Sequence, residues 1–216
     1  MKMIKTGISS LDWFLGGGLP SRVILLSGIP GSGNEVFARQ IAYYRTKNND
    51  VTYFTVNSTS DYVKEDMAAN DLDISELEKR GTWKFYDIKK NQSLIDAVIG
   101  EMKKNRTVIV DSLSELLLTH KVEDVISLIT AMSVQNKDCE EYHLLLLTEG
   151  MQNQQTEIMM QHFAEGVIAF NTSWTANSTI RQIIIKKMRG TTVPVRRIQY
   201  NIEKKGFVIE TTTRIN

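Results

Sequence analysis

Val23-Ile24-Leu25-Leu26-Ser27-Gly28-Ile29-Pro30-Gly31-Ser32-Gly33-Asn34-Glu35 is the stretch on which the reading of this chain turns. Its first residues form an apolar run, the mark of a strand buried on both faces. A glycine-rich loop follows, and 36–44 is predicted as a helix with Val36, Phe37, Ile41 and Tyr44 on its apolar side. Strand, glycine loop and helix in this order form a phosphate cradle. Glycines admit positive φ, so successive N–H groups converge on one anion at the helix N-terminus. The phosphate-loop pattern then calls for Lys followed by Ser or Thr. Here Asn34 and Glu35 hold those places. The candidate cradle is therefore Gly28, Ile29, Pro30, Gly31, Ser32, Gly33, Asn34 and Glu35, without the cation or the hydroxyl.

Working outward, uniformly apolar strands are predicted at 51–56, 107–111, 142–147 and 166–170, with another strand at 83–86. Helices are predicted at 7–15, 60–69 (Ser60 as N-cap), 73–80, 93–104 (Leu94, Ala97, Val98 and Met102 inward) and 122 to about 134. Strand and helix alternate, and the strands do not alternate apolar with polar. That pattern belongs to an α/β fold with a mostly parallel central sheet covered by helices on both faces. From Ile180 onward the runs 180–187, 195–201 and 207–211 are β-prone and separated by Gly-containing turns, so antiparallel C-terminal strands and hairpins are expected. No repeat, low-complexity tract or linker interrupts the 216 residues, which are read as one domain, 1–216.

Charge does not single out a partner: 24% of residues are charged and the formal net charge is +1. Cys139 is the one cysteine, which excludes an internal disulfide and fits a reducing cytoplasm. No apolar run approaches membrane-spanning length, so a cytoplasmic protein without membrane insertion is expected.

Five motifs in order carry a resemblance: Thr6-Gly7-Ile8 with Leu11-Asp12 and Leu15-Gly16-Gly17-Gly18-Leu19-Pro20; the Gly28–Gly33 loop; Val108-Ile109-Val110-Asp111-Ser112; Ala164-Glu165-Gly166-Val167-Ile168; and Lys187-Met188-Arg189-Gly190-Thr191. Together they resemble a KaiC-like domain of the RecA/RadA ATPase superfamily, of the archaeal one-domain type, with the archaellum motor component as a near cousin. The resemblance implies a RecA-type P-loop NTPase fold, ATP or ADP with Mg²⁺ as cofactors, binding sites between subunits, and ring or filament assembly.

The resemblance also assigns places to residues. Asp111 matches the acid that orients Mg²⁺ or its waters; its plainer reading is a carboxylate capping a turn at a strand end. Lys187 and Arg189 match a basic pair reaching a neighbour's γ-phosphate, with Arg189 as the charge-stabilising finger; the plainer reading is a solvated hairpin among Arg181, Lys186, Arg196 and Arg197. The acidic pair that follows the second core strand in the family aligns here with Asn57 and Ser58, neither of which can serve as a general base. A shift of a few residues in that alignment would bring in Asp61. Glu149, after the strand at 142–147, stands where the family often keeps an acid.

Glu35 admits three readings: facing solvent and paired with Arg39 at i+4, occupying the cradle as a built-in anion, or holding Mg²⁺ in an altered site. An ordinary turn with no nucleotide history is the fourth. No catalytic residue and no metal ligand set is assigned; His120, His143 and His162 lack ligand spacing. Trp13, Trp83 and Trp174 are read as core or interface anchors. The expected function is a catalytically inactive pseudo-ATPase. It would act as a regulatory or scaffolding component in a homo-oligomer, or in a hetero-oligomer with an active family member. One alternative is an active Mg-ATP-dependent ATPase using Glu35. The other is a nucleic-acid-binding RadA relative, disfavoured because the basic strip lacks interleaved aromatics.

Overall fold

The computed structural model describes residues 2–56, 58–88, 93–176, 178–191 and 197–210. In chain order the elements are β1 (Met3–Ile4), α1 (Ser9–Phe14), β2 (Leu19–Pro20), β3 (Val23–Gly28), α2 (Asn34–Arg45), β4 (Val51–Thr55), α3 (Ser60–Ala69) and α4 (Ser75–Lys79). There follow β5 (Trp83–Asp87), α5 (Leu94–Lys103), β6 (Thr107–Asp111), α6 (Leu113–Thr119), α7 (Val122–Cys139), β7 (His143–Thr148) and α8 (Gln154–Phe163). The chain ends in β8 (Gly166–Trp174), β9 (Thr179–Met188), β10 (Ile198–Glu203) and β11 (Gly206–Ile209).

Among the described residues the main sheet runs β11-β10-β9-β8-β3-β7-β6-β4-β5. From β8 to β5 every pairing is parallel, and β9, β10 and β11 extend the sheet antiparallel. The expected α/β architecture with C-terminal hairpins is what forms. Strand period 2 splits the core in two. Ile24 and Leu26 of β3, with Tyr53 and Ile109, face a layer holding Leu11, Phe37, Ile41 and Met67. Val23 and Leu25, with Phe54, Val108 and Val110, face Val98, Met102, Leu116, Leu128 and Met132 on the other side. Each such side chain, fully buried, contributes roughly 1.5–3 kcal/mol.

Several elements differ from the sequence expectation. α6 and α8 were not expected, and α7 runs on to Cys139 because nothing in 135–138 breaks a helix. Thr59, not Ser60, caps α3, its side chain accepting from the Tyr62 N–H. Trp83 is buried and stacked on Tyr53, whereas Trp13 and Trp174 are largely exposed. The expected strands at 195–201 and 207–211 correspond to β10 and β11 where they fall within the described residues; Val195, Arg196 and Thr211 lie outside them.

β3 lies between β7 and β8, and α2 carries the chain from it across to β4 beyond β6. This reversal opens a crevice at the carboxyl ends of β3, β7 and β6, the place where open α/β sheets bind ligands.

Candidate functional site

The loop after β3 is fixed from behind. Gly33, the N-cap of α2, has φ 84°, and a Cβ there would lie 2.3 Å from Ile202 Cδ1 of β10. A side chain there would be strained by the positive φ and would force the end of the Ile202 side chain to shift. Tyr200 Oη donates to the Ser32 carbonyl at 2.6 Å, tying the loop to the same hairpin. Gln40 of α2 clasps Phe207 of β11, accepting from its N–H at 2.6 Å and donating to its carbonyl at 3.0 Å.

Asn34, where the pattern wants Lys, does not reach out. It is buried, its Nδ2 donates to the Leu26 carbonyl at 3.4 Å, and its Oδ1 accepts from Ser32 Oγ at 3.2 Å. In front of the loop is a cavity of about 370 Å³, lined by Pro30, Gly31, Asn34 and Glu35 and by Arg39, Ser58, Asp66, Asp111 and Glu115. Four of these residues are acids and one, Arg39, is a cation. On the far side of Ile29 a second cavity of about 340 Å³ is bounded by Glu149, Phe170, Asn171, Thr172 and Arg197. Glu149 is not free there, because it accepts a 2.5 Å hydrogen bond from Ser27 Oγ.

The i+4 pair expected between Glu35 and Arg39 does not form. The Arg39 guanidinium is turned to other partners: Nε donates to Tyr53 Oη at 3.2 Å, Nη1 to Asp66, and Nη2 to Asp111 Oδ2 at 3.4 Å. Tyr53 Oη in turn donates to the same Asp111 oxygen at 2.5 Å. Burial opposes the charge on Arg39, but Tyr53, Asp111 and Asp66 outweigh it and hold the guanidinium protonated. Glu35 makes no ion pair among the described residues. Burial pushes its carboxyl above the ordinary 4.5; its own backbone N–H and Arg39 pull it back, and Asp111 and Asp66 push it further up. Glu115 is raised by burial and by Asp111.

A raised carboxyl binds its proton more tightly folded than unfolded, so Glu35 lowers stability as pH rises through and beyond 4.5. Glu35→Gln is therefore expected to be more stable than the parent at pH 7–8 and to gain nothing well below pH 4.5. Paired denaturant titrations at the two pH values test this; an equal gain at both would point to packing rather than charge.

Asp111 ends β6 beside the cavity, and its peptide to Ser112 is cis. Ser112 caps α6, its Oγ accepting from the Glu115 N–H at 3.4 Å. Asn57 lies outside the described residues. Ser58 lines the cavity, whereas Asp61 is solvent-exposed, 3.6 Å from Lys64, and does not line it.

Lys187 and Arg189 are not brought to the loop. In register, Met188 pairs with Gly166, which pairs with Ile24, while Phe170 pairs with Gly28. Lys187 is therefore level with Leu25 and Arg189 lies beyond Ile24, about 10 Å and more than about 13 Å along β3 from Gly28. Lys187 closes the end of α8, its Nζ donating to the carbonyls of Gln161 (3.3 Å), His162 (2.6 Å) and Ala164 (2.7 Å). The Arg189 side chain is exposed, and among the described residues only its backbone is engaged, with Glu165 and Arg22. Lys187→Met should cost about 1 kcal/mol, since it orphans helix-end carbonyls. Arg189→Ala should stay within about 0.5 kcal/mol. Chemical denaturation of both variants tests the assignment, and a larger loss for Arg189→Ala would contradict it.

Arg39, Tyr53, Asp66 and Glu115 were not predicted as site residues. The available signal was the charge of Arg39 within a helix that buries Phe37, Ala38, Gln40, Ile41 and Ala42 around it. A guanidinium in that setting requires acidic partners.

Comparison with known proteins gives one family model, described as ATPase: KaiC, which matches residues 4–214. A UPF0273 protein of Aeropyrum pernix is 27% identical, over 95% of this chain and 92% of its own length. A UPF0273 protein of Thermotoga maritima is 25% identical over 97% and 96%. Among solved structures, a KaiC-like protein of Pyrococcus horikoshii superposes with TM-score 0.80 at 20% identity, covering 97% of this chain and 99% of that one. The flagellar accessory protein FlaH of Methanocaldococcus jannaschii gives 0.78 at 18%, covering 94% and 96%.

Proposed function

Because this chain belongs to the KaiC family of ATPases and has its RecA-type fold, we propose that it is a pseudo-ATPase. It keeps the architecture as a single domain over 1–216 and serves as a regulatory or scaffolding component, with weak or absent ATP binding. The observation that carries this reading is the state of Asn34 and Glu35. The first is hydrogen-bonded into the fold, and the second adds a carboxylate to a cavity already holding Asp66, Asp111 and Glu115. A triphosphate entering there meets anions where the pattern would supply a lysine. Ser58 and, by sequence, Asn57 offer no general base near neutral pH.

Mg²⁺ does not fit the residues present. The hydroxyl of the phosphate-loop pattern is replaced by Glu35, and one oxygen of Asp111 already accepts from both Arg39 and Tyr53. No reaction step is assigned to a metal. In this reading the exposed Arg189, at the far end of β3 from the loop, would act on a neighbouring subunit, which favours assembly over self-sufficient catalysis. That subunit is a second copy or an active family member. Nucleic acid is not a proposed partner. Among the described residues no helix is long and apolar enough to cross a membrane.

Thermal unfolding with ATP or ADP, with and without Mg²⁺, tests the reading. A ligand at a hundred times its dissociation constant adds about 2.7 kcal/mol. The expected result is little or no upward shift at millimolar nucleotide. A shift of several degrees at micromolar nucleotide would contradict it.

A further inference from the structure

The chemistry of the cavity goes further than a missing lysine. We propose that Arg39 is a resident cation that takes the place of a divalent metal, so that the cavity excludes Mg²⁺ and Mn²⁺ and offers an entering anion one guanidinium among four carboxylates. The inference rests on reading this cavity as the family's nucleotide site.

The Arg39 side chain is 8% exposed. A buried charge persists only when it is paired and hydrogen-bonded, and this one is served on three sides: by Tyr53 from β4, Asp66 from α3 and Asp111 from β6. The partners lie 14, 27 and 72 residues away in sequence, so the fold converges on the guanidinium from three separate elements. Asp111 Oδ2 receives two donors at once, from Arg39 and from Tyr53. A divalent ion coordinating that oxygen would have to displace both. It would also sit within a few ångströms of a positive charge that does not titrate away. Relative to the same four carboxylates without it, a unit positive charge about 4 Å from a divalent ion at an effective dielectric near 20 lowers affinity by more than about a thousandfold. Three of the five guanidinium N–H groups are used in these bonds. The others remain for an anion entering the cavity that Arg39 lines.

Mn²⁺, a paramagnetic substitute for Mg²⁺, tests this on the whole chain without nucleotide. In the wild-type protein, Mn²⁺ should leave the amide resonances of Thr55, Asp111 and Ser112 as sharp as those of residues far from the cavity. Selective broadening of these three would overturn the proposal, and this readout needs no variant. Arg39→Gln frees the acids and should gain a Mn²⁺ site at least about a hundredfold tighter than any in the wild type. The free-ion paramagnetic resonance signal reports that gain, which should be lost again when Asp111→Asn is added. A folded Arg39→Gln protein that gains nothing would also overturn it. Turnover of ATP without broadening would sink the pseudo-ATPase reading and leave this inference standing. Broadening without turnover would do the reverse.

Discussion

Asn34→Lys combined with Glu35→Thr is expected to raise affinity for ATP or ADP on the order of a thousandfold. One like-charge contact at about 4 Å and an effective dielectric near 20 is worth roughly 4 kcal/mol, which is that factor in binding. The double change removes the contact and adds a cation at the start of α2. The buried amide of Asn34 must first leave Leu26 and Ser32. A lysine in its place has no acceptor role there and extends toward the cavity. Because Arg39 still holds Asp111, the gain should be as large in EDTA as in Mg²⁺. Turnover should stay absent, since positions 57 and 58 still carry an amide and a hydroxyl. Titration calorimetry reads the gain directly. No gain would show that the cradle is closed by something other than these two side chains.

Phe37→Ala is expected to lower global stability by about 3–5 kcal/mol, the usual loss for truncating a fully buried phenylalanine. Phe37 is wholly buried and makes ring contacts with Phe170 of β8 at 5.2 Å and Phe207 of β11 at 5.0 Å. Phe207 is stacked on Tyr200 at 4.3 Å, and Tyr200 holds the Ser32 carbonyl. The loss should therefore spread to the loop, with faster amide exchange at Ser32 and Gly33 than at β6. Denaturant unfolding gives the first number and hydrogen exchange the second. A loss below about 1 kcal/mol would mean that the aromatic layer repacks.

The sheet was legible because β3, β4, β6 and β7 are apolar on both faces, which leaves little choice but a central position between helix layers. α8 was not legible for the opposite reason. Of its apolar residues Ile158 and Phe163 are exposed, and Met160 is the one buried, so its stripe carries no clear helical period. α6 is a seven-residue segment, mostly leucine, next to a strand, where periodicity cannot separate helix from strand. At the site, Asn34 and Glu35 standing where the phosphate-loop pattern has Lys and Ser/Thr can be read from the spacing alone. The role of Arg39 was not. Sequence offered Glu35 as its i+4 neighbour, whereas the fold supplies Asp66 and Asp111 from 27 and 72 residues away. Long-range convergence of that kind leaves no local trace. Lys187 likewise reads as half of a basic pair, yet its three acceptors are carbonyls at the end of α8, which only the β8–β9 register places beside it.

Phosphate release from ATP by the purified wild-type chain, alone and mixed with an active family member, tests the central claim most directly. The chain alone should release no more phosphate than buffer, with or without Mg²⁺, and Glu35→Ala should leave that background unchanged. Steady protein-dependent release that Glu35→Ala abolishes would contradict the account and make Glu35 part of a working site.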